Sequence, residues 1–164
     1  MGSDVGITLN ELLAWSDEAA QDWKRHFETH PAVLELPCGI NDSADVQALV
    51  RHIWGAELRW SERLAGLPNT EYPAGPLDAL FAMHVKAITL YRELLAEPAA
   101  RWEEFYELKF DWLPPEKRHI SRRKVACHSL LHNQRHYAQL ATLVRVAGYP
   151  VTVRGDLLLS LALR

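Results

Sequence analysis

Three histidines recur at a spacing of four in one segment of the chain. His128, His132 and His136 belong to residues 125–147, which contain no proline or glycine. A helix turns about 100° per residue, so one helix over this segment would carry all three imidazoles on one face. We predict that this face is buried and that its imidazoles are satisfied by hydrogen bonds, water or a metal ion. The same face carries Val125, Gln139 and Leu143.

Two histidines four residues apart on a helix offer two ring nitrogens to one transition-metal ion. At least one more ligand has to come from another part of the chain. His52 is the candidate, because it lies in a second strongly helical segment, residues 49–60. With a histidine pair of the 125–147 segment it would complete a set of three ligands that leaves coordination positions open.

Other ionisable residues fall on apolar helix faces. Glu57 needs a partner there, which is either an arginine or tryptophan N–H group or a role beside the metal as a base or hydrogen-bond acceptor. His84 also faces inward, and a hydrogen-bonded core histidine is favoured over a fourth metal ligand. His26 and His30 lie at the end of the first helix, where histidines interact with the last carbonyls and the helix dipole.

Local signals place these residues on an all-α scaffold of four helices. Thr8 and Glu11 form a capping box that begins the first helix, and Pro31 ends it after His30. Asp42 or Ser43 caps the second helix. That helix runs to about residue 65, the third covers about 77–96, and the fourth covers 125–147.

Two smaller elements are also expected. Residues 104–110 and 118–121 flank Pro114 and Pro115, and their patterns fit a small hairpin before the fourth helix. Residues 156–163 fit a short terminal helix. With 164 residues, of which 48% are hydrophobic, the chain fits a single domain over residues 1–164.

Composition excludes several classes of function. The net charge of −3, with acids and bases interspersed, argues against nucleic-acid binding, and we interpret the basic segment 117–124 as a solvated loop and first turn. No signal peptide and no bilayer-length apolar stretch is visible, so no membrane association is expected. Cys38 and Cys127 are too few for a disulfide framework and favour a cytoplasmic location.

The segments 49–60 and 128–140 together resemble the DinB/YfiT-like family of metalloenzymes, and the resemblance covers nearly the whole chain. It implies an up-down-down-up four-helix bundle with a three-histidine site for a divalent metal. Carried over by position, His52, His132 and His136 are the ligands, and Gln139 matches a glutamine that closes the motif. Arg135 stands where the family often has a third histidine. Tyr137 and Ala138 replace its Arg-Gly pair, so the surroundings of the ligands differ.

The resemblance implies a metal more strongly than it implies a reaction. Relatives include transferases that use low-molecular-weight thiols, a thiol-dependent isomerase and members with no known reaction. The first hypothesis is a transferase or hydrolase in which a divalent ion, Zn or Ni, lowers the pKa of water or of a thiol cosubstrate. Glu57, His128 or Tyr137 would handle protons, and His128, His84 and Gln139 are candidates for groups that surround the ligands.

The competing hypothesis is a non-catalytic bundle that holds a metal or a small apolar ligand for storage or sensing. A site closed by His84 as fourth ligand would favour it. A third alternative is a bundle whose histidines are only hydrogen-bonded. Six tryptophans in a small domain, together with the family's frequent dimers, predict a homodimer acting on a small-molecule substrate.

Overall fold

Four α-helices build the protein, and their ends follow local signals. The computed structural model describes residues 6–151, 153 and 155–162, in which the helices are Leu9–Thr29 (α1), Val46–Leu64 (α2), Leu77–Leu95 (α3) and Arg122–Val146 (α4). The capping box of α1 is confirmed, since the Thr8 hydroxyl accepts from the Glu11 amide and the Glu11 carboxylate accepts from the Thr8 amide. The all-α prediction is therefore confirmed together with the cap that begins it.

The start of α2 differs from the prediction. Its N-cap is Asp45, whose carboxylate accepts from the amide of Ala48 at 2.7 Å. Asp42 is in a 3₁₀ turn with φ 56°, a left-handed conformation that an N-cap residue does not adopt. Ser43 precedes the cap by two residues. The correct capping residue thus lies slightly later than either candidate.

Contacts between side chains give the direction of each helix. Trp54 bonds to Tyr137 and Trp60 contacts His128, so α2 and α4 are antiparallel. The α3 helix runs parallel to α2, because His84 contacts Glu57 and, farther along both helices, Lys86 contacts Glu62. The α1 helix is antiparallel to α2 and α3 and parallel to α4, so the up-down-down-up bundle is confirmed. The contacts that give this direction are Ser16 with Glu57, Lys24 with Asp78, Asp17 with Arg92 and, from α4, Tyr137 with Trp23.

Parallel neighbours need a connection that returns along the bundle. Residues 65–76 supply it by running back beside α2. The amide of Thr70 donates to Glu62 at 2.7 Å, and Gln47 near the start of α2 donates to the carbonyl of Gly75 at 2.8 Å. This connection places the start of α3 beside the start of α2.

The predicted hairpin is present and leads directly into α4. Strand β1, Phe105–Glu107, pairs antiparallel with β2, His119–Ser121, and Tyr106 lies opposite Ile120. Ser121 then caps α4 by accepting from the Lys124 amide at 3.3 Å. The helix therefore begins at Arg122, three residues earlier than the sequence pattern indicates.

Arg122 corrects the interpretation of residues 117–124 as wholly solvated. Its side chain is 1% exposed, and its guanidinium bonds to Glu97 at 2.6 Å and to the carbonyl of Leu64 at 3.1 Å. These bonds tie the start of α4 to the ends of α2 and α3. A buried arginine is tolerated because its charge is paired.

The predicted terminal helix is only a 3₁₀ turn, Leu157–Leu159, capped by Asp156. Leu158 is 89% exposed, so this segment buries little apolar surface that would stabilise a longer helix. Leu163, the predicted last residue, lies outside the described residues.

The bundle core is apolar at both ends and polar in between. Trp23, Trp54 and Leu140 belong to one buried cluster, and Tyr91 and Leu130 belong to the other. Between them lie buried polar side chains, which are Ser16, Glu57, His84 and Asn133. Among the described helices, none combines the length and apolar character that crossing a membrane requires.

Candidate metal centre

Three histidine nitrogens from two helices converge at one edge of the bundle. The Nε2 atom of His132 lies 3.2 Å from Nε2 of His52 and 3.2 Å from Nε2 of His136. All three ligand atoms lie within 4.8 Å of one another. Two nitrogens at about 2.0–2.1 Å from one tetrahedral ion are about 3.3–3.4 Å apart. Two of the three observed spacings are close to this value, so the cluster could hold a single divalent cation.

The two 3.2 Å contacts that His132 Nε2 makes with the other two nitrogens cannot both be hydrogen bonds. A neutral imidazole carries one N–H group, and its other nitrogen is only an acceptor. His136 uses its Nδ1–H on Gln139, so its Nε2 presents a lone pair. His132 Nε2 can donate to one neighbour but not to both. A cation between the three nitrogens removes this conflict.

Gln139 orients one ligand. Its Oε1 accepts from Nδ1 of His136 at 2.8 Å, which fixes the imidazole tautomer and directs the Nε2 lone pair toward the other two histidines. Nδ1 of His132 is buried and has no hydrogen-bond partner among the described residues.

Removing the Gln139 acceptor should weaken metal binding without abolishing it. We expect Gln139→Ala to lower affinity for Zn²⁺ by about tenfold, because losing a group that orients a ligand histidine costs roughly 10–100-fold and Gln139 is exposed. Gln139→Glu keeps an acceptor and should retain the affinity. Competition with a chelator of known affinity measures both, and an unchanged Gln139→Ala affinity would contradict this role.

The electrostatic environment keeps the three histidines neutral. Burial, helped by the neighbouring His136 and Arg135, lowers the pKa of His132 to about 3 and that of His52 to about 4. Burial also lowers the pKa of His136. Neutral imidazoles at pH 7 have the free lone pairs that a metal requires. An Arg135 Nη atom lies 3.3 Å from His136 Nε2 and can donate to its lone pair, so this exposed side chain, which places a positive charge beside the cluster, would have to move away before that nitrogen binds an ion.

The histidine face of α4 is not its buried face, contrary to the prediction. Each four-residue step covers about 400°, so successive histidines drift about 40° around the helix. His128 is accordingly exposed, His132 half-buried and His136 only 2% exposed, and Gln139 is exposed. The centre of the buried face carries Asn133, Tyr137, Leu140 and Val144 instead. The three-histidine cluster therefore lies at the edge of the bundle core, close to the solvent-exposed surface.

His128 lies one turn from the metal centre. Its ring packs edge-on against Trp60, with centroids 5.5 Å apart, and lies 5.9 Å from the ring of His132. The residue as a whole is exposed, but the packing of its ring against Trp60 partly removes it from water and lowers its pKa, so this imidazole is neutral at pH 7 and can accept a proton.

Glu57 and His84 direct their polar atoms into the core. His84 Nδ1 lies 2.7 Å from Glu57 Oε2, its Nε2 lies 3.2 Å from Asp17 Oδ1, and Ser16 donates to Glu57 Oε1 at 3.3 Å. The partner of Glu57 is thus a histidine, not the predicted arginine or tryptophan. Since both His84 nitrogens face carboxylates, His84 is neither a fourth ligand nor a group that bonds to the ligand histidines.

Tyr137 is also a core residue. It is 3% exposed, and its hydroxyl accepts from Nε1 of Trp54 at 2.8 Å. His26 is 3% exposed and packs edge-on against Trp23, so its ring is an aromatic packing group and does not bond to the last carbonyls of α1 as predicted.

The sequence patterns missed the remaining members of the core polar network. Asp17 joins His84 to Arg92, with a 2.9 Å ion pair to the arginine, and Asn133 donates to Ser16 at 3.5 Å. Ser16 and Asn133 are polar residues on otherwise apolar helix faces, and this pattern in the sequence was a sign of buried polar contacts. Their partners come from other helices, so no local spacing indicates them.

No family model, curated protein or solved structure matches the chain. The functional conclusions therefore depend on the three-histidine cluster and its surroundings.

Proposed function

We propose that the protein is a divalent-metal-dependent enzyme of the DinB/YfiT-like type, a transferase that uses a low-molecular-weight thiol or a hydrolase. The convergence of His52, His132 and His136 Nε2 atoms at distances that suit one ion carries the proposal. Three protein ligands leave at least one position of a tetrahedral ion open, which is the pattern of catalytic rather than structural sites.

The surroundings of the cluster also favour catalysis over storage. A storage site is usually closed by a fourth protein ligand, and His84, the candidate for that position, is bonded to Glu57 and Asp17. The cluster's place at the edge of the core supports access for a substrate.

In this proposal, different residues bind the ion, transfer the proton and stabilise charge. His52, His132 and His136 would hold the ion, which would act as a Lewis acid and lower the pKa of a thiol or water. His128, neutral and one turn away, would accept and return the proton. Arg135 would stabilise negative charge that develops beside the centre.

Zn²⁺ and Ni²⁺ are the proposed ions, since both bind imidazole nitrogen well. We also propose a homodimer; apolar side chains that are more than half exposed, including Phe105, Trp112 and Val146, support it.

A reaction panel tests the enzyme proposal. Protein loaded with Zn²⁺ or Ni²⁺ should accelerate either transfer of a small thiol to 1-chloro-2,4-dinitrobenzene or hydrolysis of p-nitrophenyl esters. A chelator and the His132→Ala variant should both abolish that rate, whereas His119→Ala, at an exposed histidine of β2, should keep it. Stoichiometric metal binding without acceleration of any panel reaction would contradict the enzyme assignment and favour the binding function.

A further inference from the structure

A cavity of about 200 Å³ lies beside the metal centre, between α2, α4 and the loop that joins the strands of the hairpin. Its walls are mostly apolar and include Trp60, Trp112 and Ile120. An apolar cavity of about 150 Å³ is large enough to bind benzene. This cavity therefore has room for a ring-sized organic group.

The charged side chains that line the cavity are all positive. Lys117 and Lys124 line it, and no carboxylate does. Lys86 and Lys109 form ion pairs with glutamates, whereas neither cavity lysine pairs with a carboxylate of the described residues. Two unpaired ammonium groups beside an apolar surface are complementary to a molecule that has an anionic group attached to an apolar part.

The cavity shares a residue with the surroundings of the metal centre. His128 lines the cavity, and its ring lies 5.9 Å from the ring of the ligand His132. A molecule in the cavity would therefore have one part against the His128 imidazole, one helical turn from the proposed ligand His132, while the lysines hold another part.

We propose that this cavity binds the acceptor substrate, and that the acceptor is an apolar, ring-sized molecule with a carboxylate. The identification of the ligand as an acceptor substrate rests on the proposed function, whereas the claim that such a molecule binds here rests on the cavity itself. Small cellular thiols are polar along most of their length, so an apolar wall suits the second reactant better than the thiol. Lys117 and Lys124 would set specificity by pairing with the carboxylate.

Matched probes test the binding claim. Calorimetry on the Zn²⁺-loaded protein should show naphthalene-2-carboxylate binding at least about fivefold more tightly than naphthalene-2-carboxamide, which has the same rings and no charge. The double variant Lys117→Gln/Lys124→Gln should remove that preference. Lys109→Gln, an exposed lysine outside the cavity, should keep it. Equal affinities for both probes, or a preference that survives the double variant, would overturn the proposal.

A second measurement separates this proposal from the proposed function. His132→Ala, which should lose the metal, should still bind the carboxylate probe. Proximity to the centre is tested by replacing Zn²⁺ with paramagnetic Ni²⁺ in the intact protein. The probe's proton resonances should broaden with Ni²⁺ and stay sharp with Zn²⁺, and equal linewidths would show that the probe binds away from the metal ligands.

Discussion

Replacing His132 with alanine should abolish stoichiometric metal binding while leaving the bundle folded. His132 would be the central ligand of the proposed centre, because its Nε2 lies 3.2 Å from the corresponding atoms of both His52 and His136. The loss should exceed the roughly 100-fold that removal of a surrounding hydrogen bond costs. His132 is only half-buried, so its removal leaves the apolar core intact. Zn²⁺ titration against a chelator gives the affinity, and circular dichroism verifies the fold.

His128→Ala is the matched control, since it removes an imidazole one turn away on the same helix. It should keep the metal affinity of the parent protein, because its ring packs against Trp60 and makes no hydrogen bond to the ligand histidines. If His128→Ala loses the metal while His132→Ala keeps it, the ligand assignment is wrong. If both variants keep it, the cluster does not hold the ion.

Breaking the buried Glu57–His84 pair should give the largest loss of stability. Both side chains are fully buried, and their 2.7 Å contact neutralises charges that have no access to water. Removing one partner of a buried pair costs about 3–5 kcal/mol, and we expect the lower end of this range because Asp17 still contacts His84. Urea unfolding of Glu57→Gln should show this decrease. Lys109→Gln, which removes the exposed pair with Glu107, should change the free energy of unfolding by less than about 1 kcal/mol.

The same pair should make stability depend on pH in the alkaline range. Burial opposes the charge of His84, but the carboxylates of Glu57 and Asp17 outweigh it and raise its pKa to about 9. A histidine whose pKa is raised in the folded state contributes stability fully below its ordinary pKa of about 6.5, and this is lost as pH rises through about 9. The groups around it are Asp17 on α1, Glu57 on α2, Tyr137 on α4, and Arg92, which pairs with Asp17.

Metal-free protein should therefore lose stability between pH 6.5 and 9, by up to about 1.4 kcal/mol per pH unit. The ligand histidines do not interfere, because their pKa values are lowered and they stay neutral above pH 6.5. Urea midpoints across this range measure the slope. His84→Gln should be less stable overall and should lack the slope, and a parent protein with constant stability over this range would contradict a charged His84.

Much of the fold was predictable because its signals are local. The Thr8 capping box, the apolar periodicity and the prolines that end helices all act within a few residues. Asp45 shows the limit of such signals, since several candidate caps precede α2 and backbone conformation decides between them. Arg122 shows another limit, because its burial depends on Glu97 and the end of α2.

The sequence indicated which histidines form the candidate site, but it did not indicate how deeply each of them is buried. The four-residue spacing indicated His128, His132 and His136, and the need for a third donor indicated His52. The choice of His132 and His136 over His128 came from the family resemblance. The 40° drift between steps decides which histidine is buried, and it depends on how α4 is rotated against α1 and α2. The contact between His84 and Glu57 joins two helices and is a tertiary property that neither helix pattern contains.

X-ray absorption spectroscopy, together with elemental analysis of the natively purified protein, tests the three-histidine centre most directly. We expect about one divalent ion per chain, with scattering from three imidazole nitrogens at about 2.0–2.1 Å and at least one further exchangeable ligand. Less than about a tenth of an equivalent, not restored by adding Zn²⁺ or Ni²⁺, or an ion with fewer than three imidazoles, would contradict the centre formed by His52, His132 and His136.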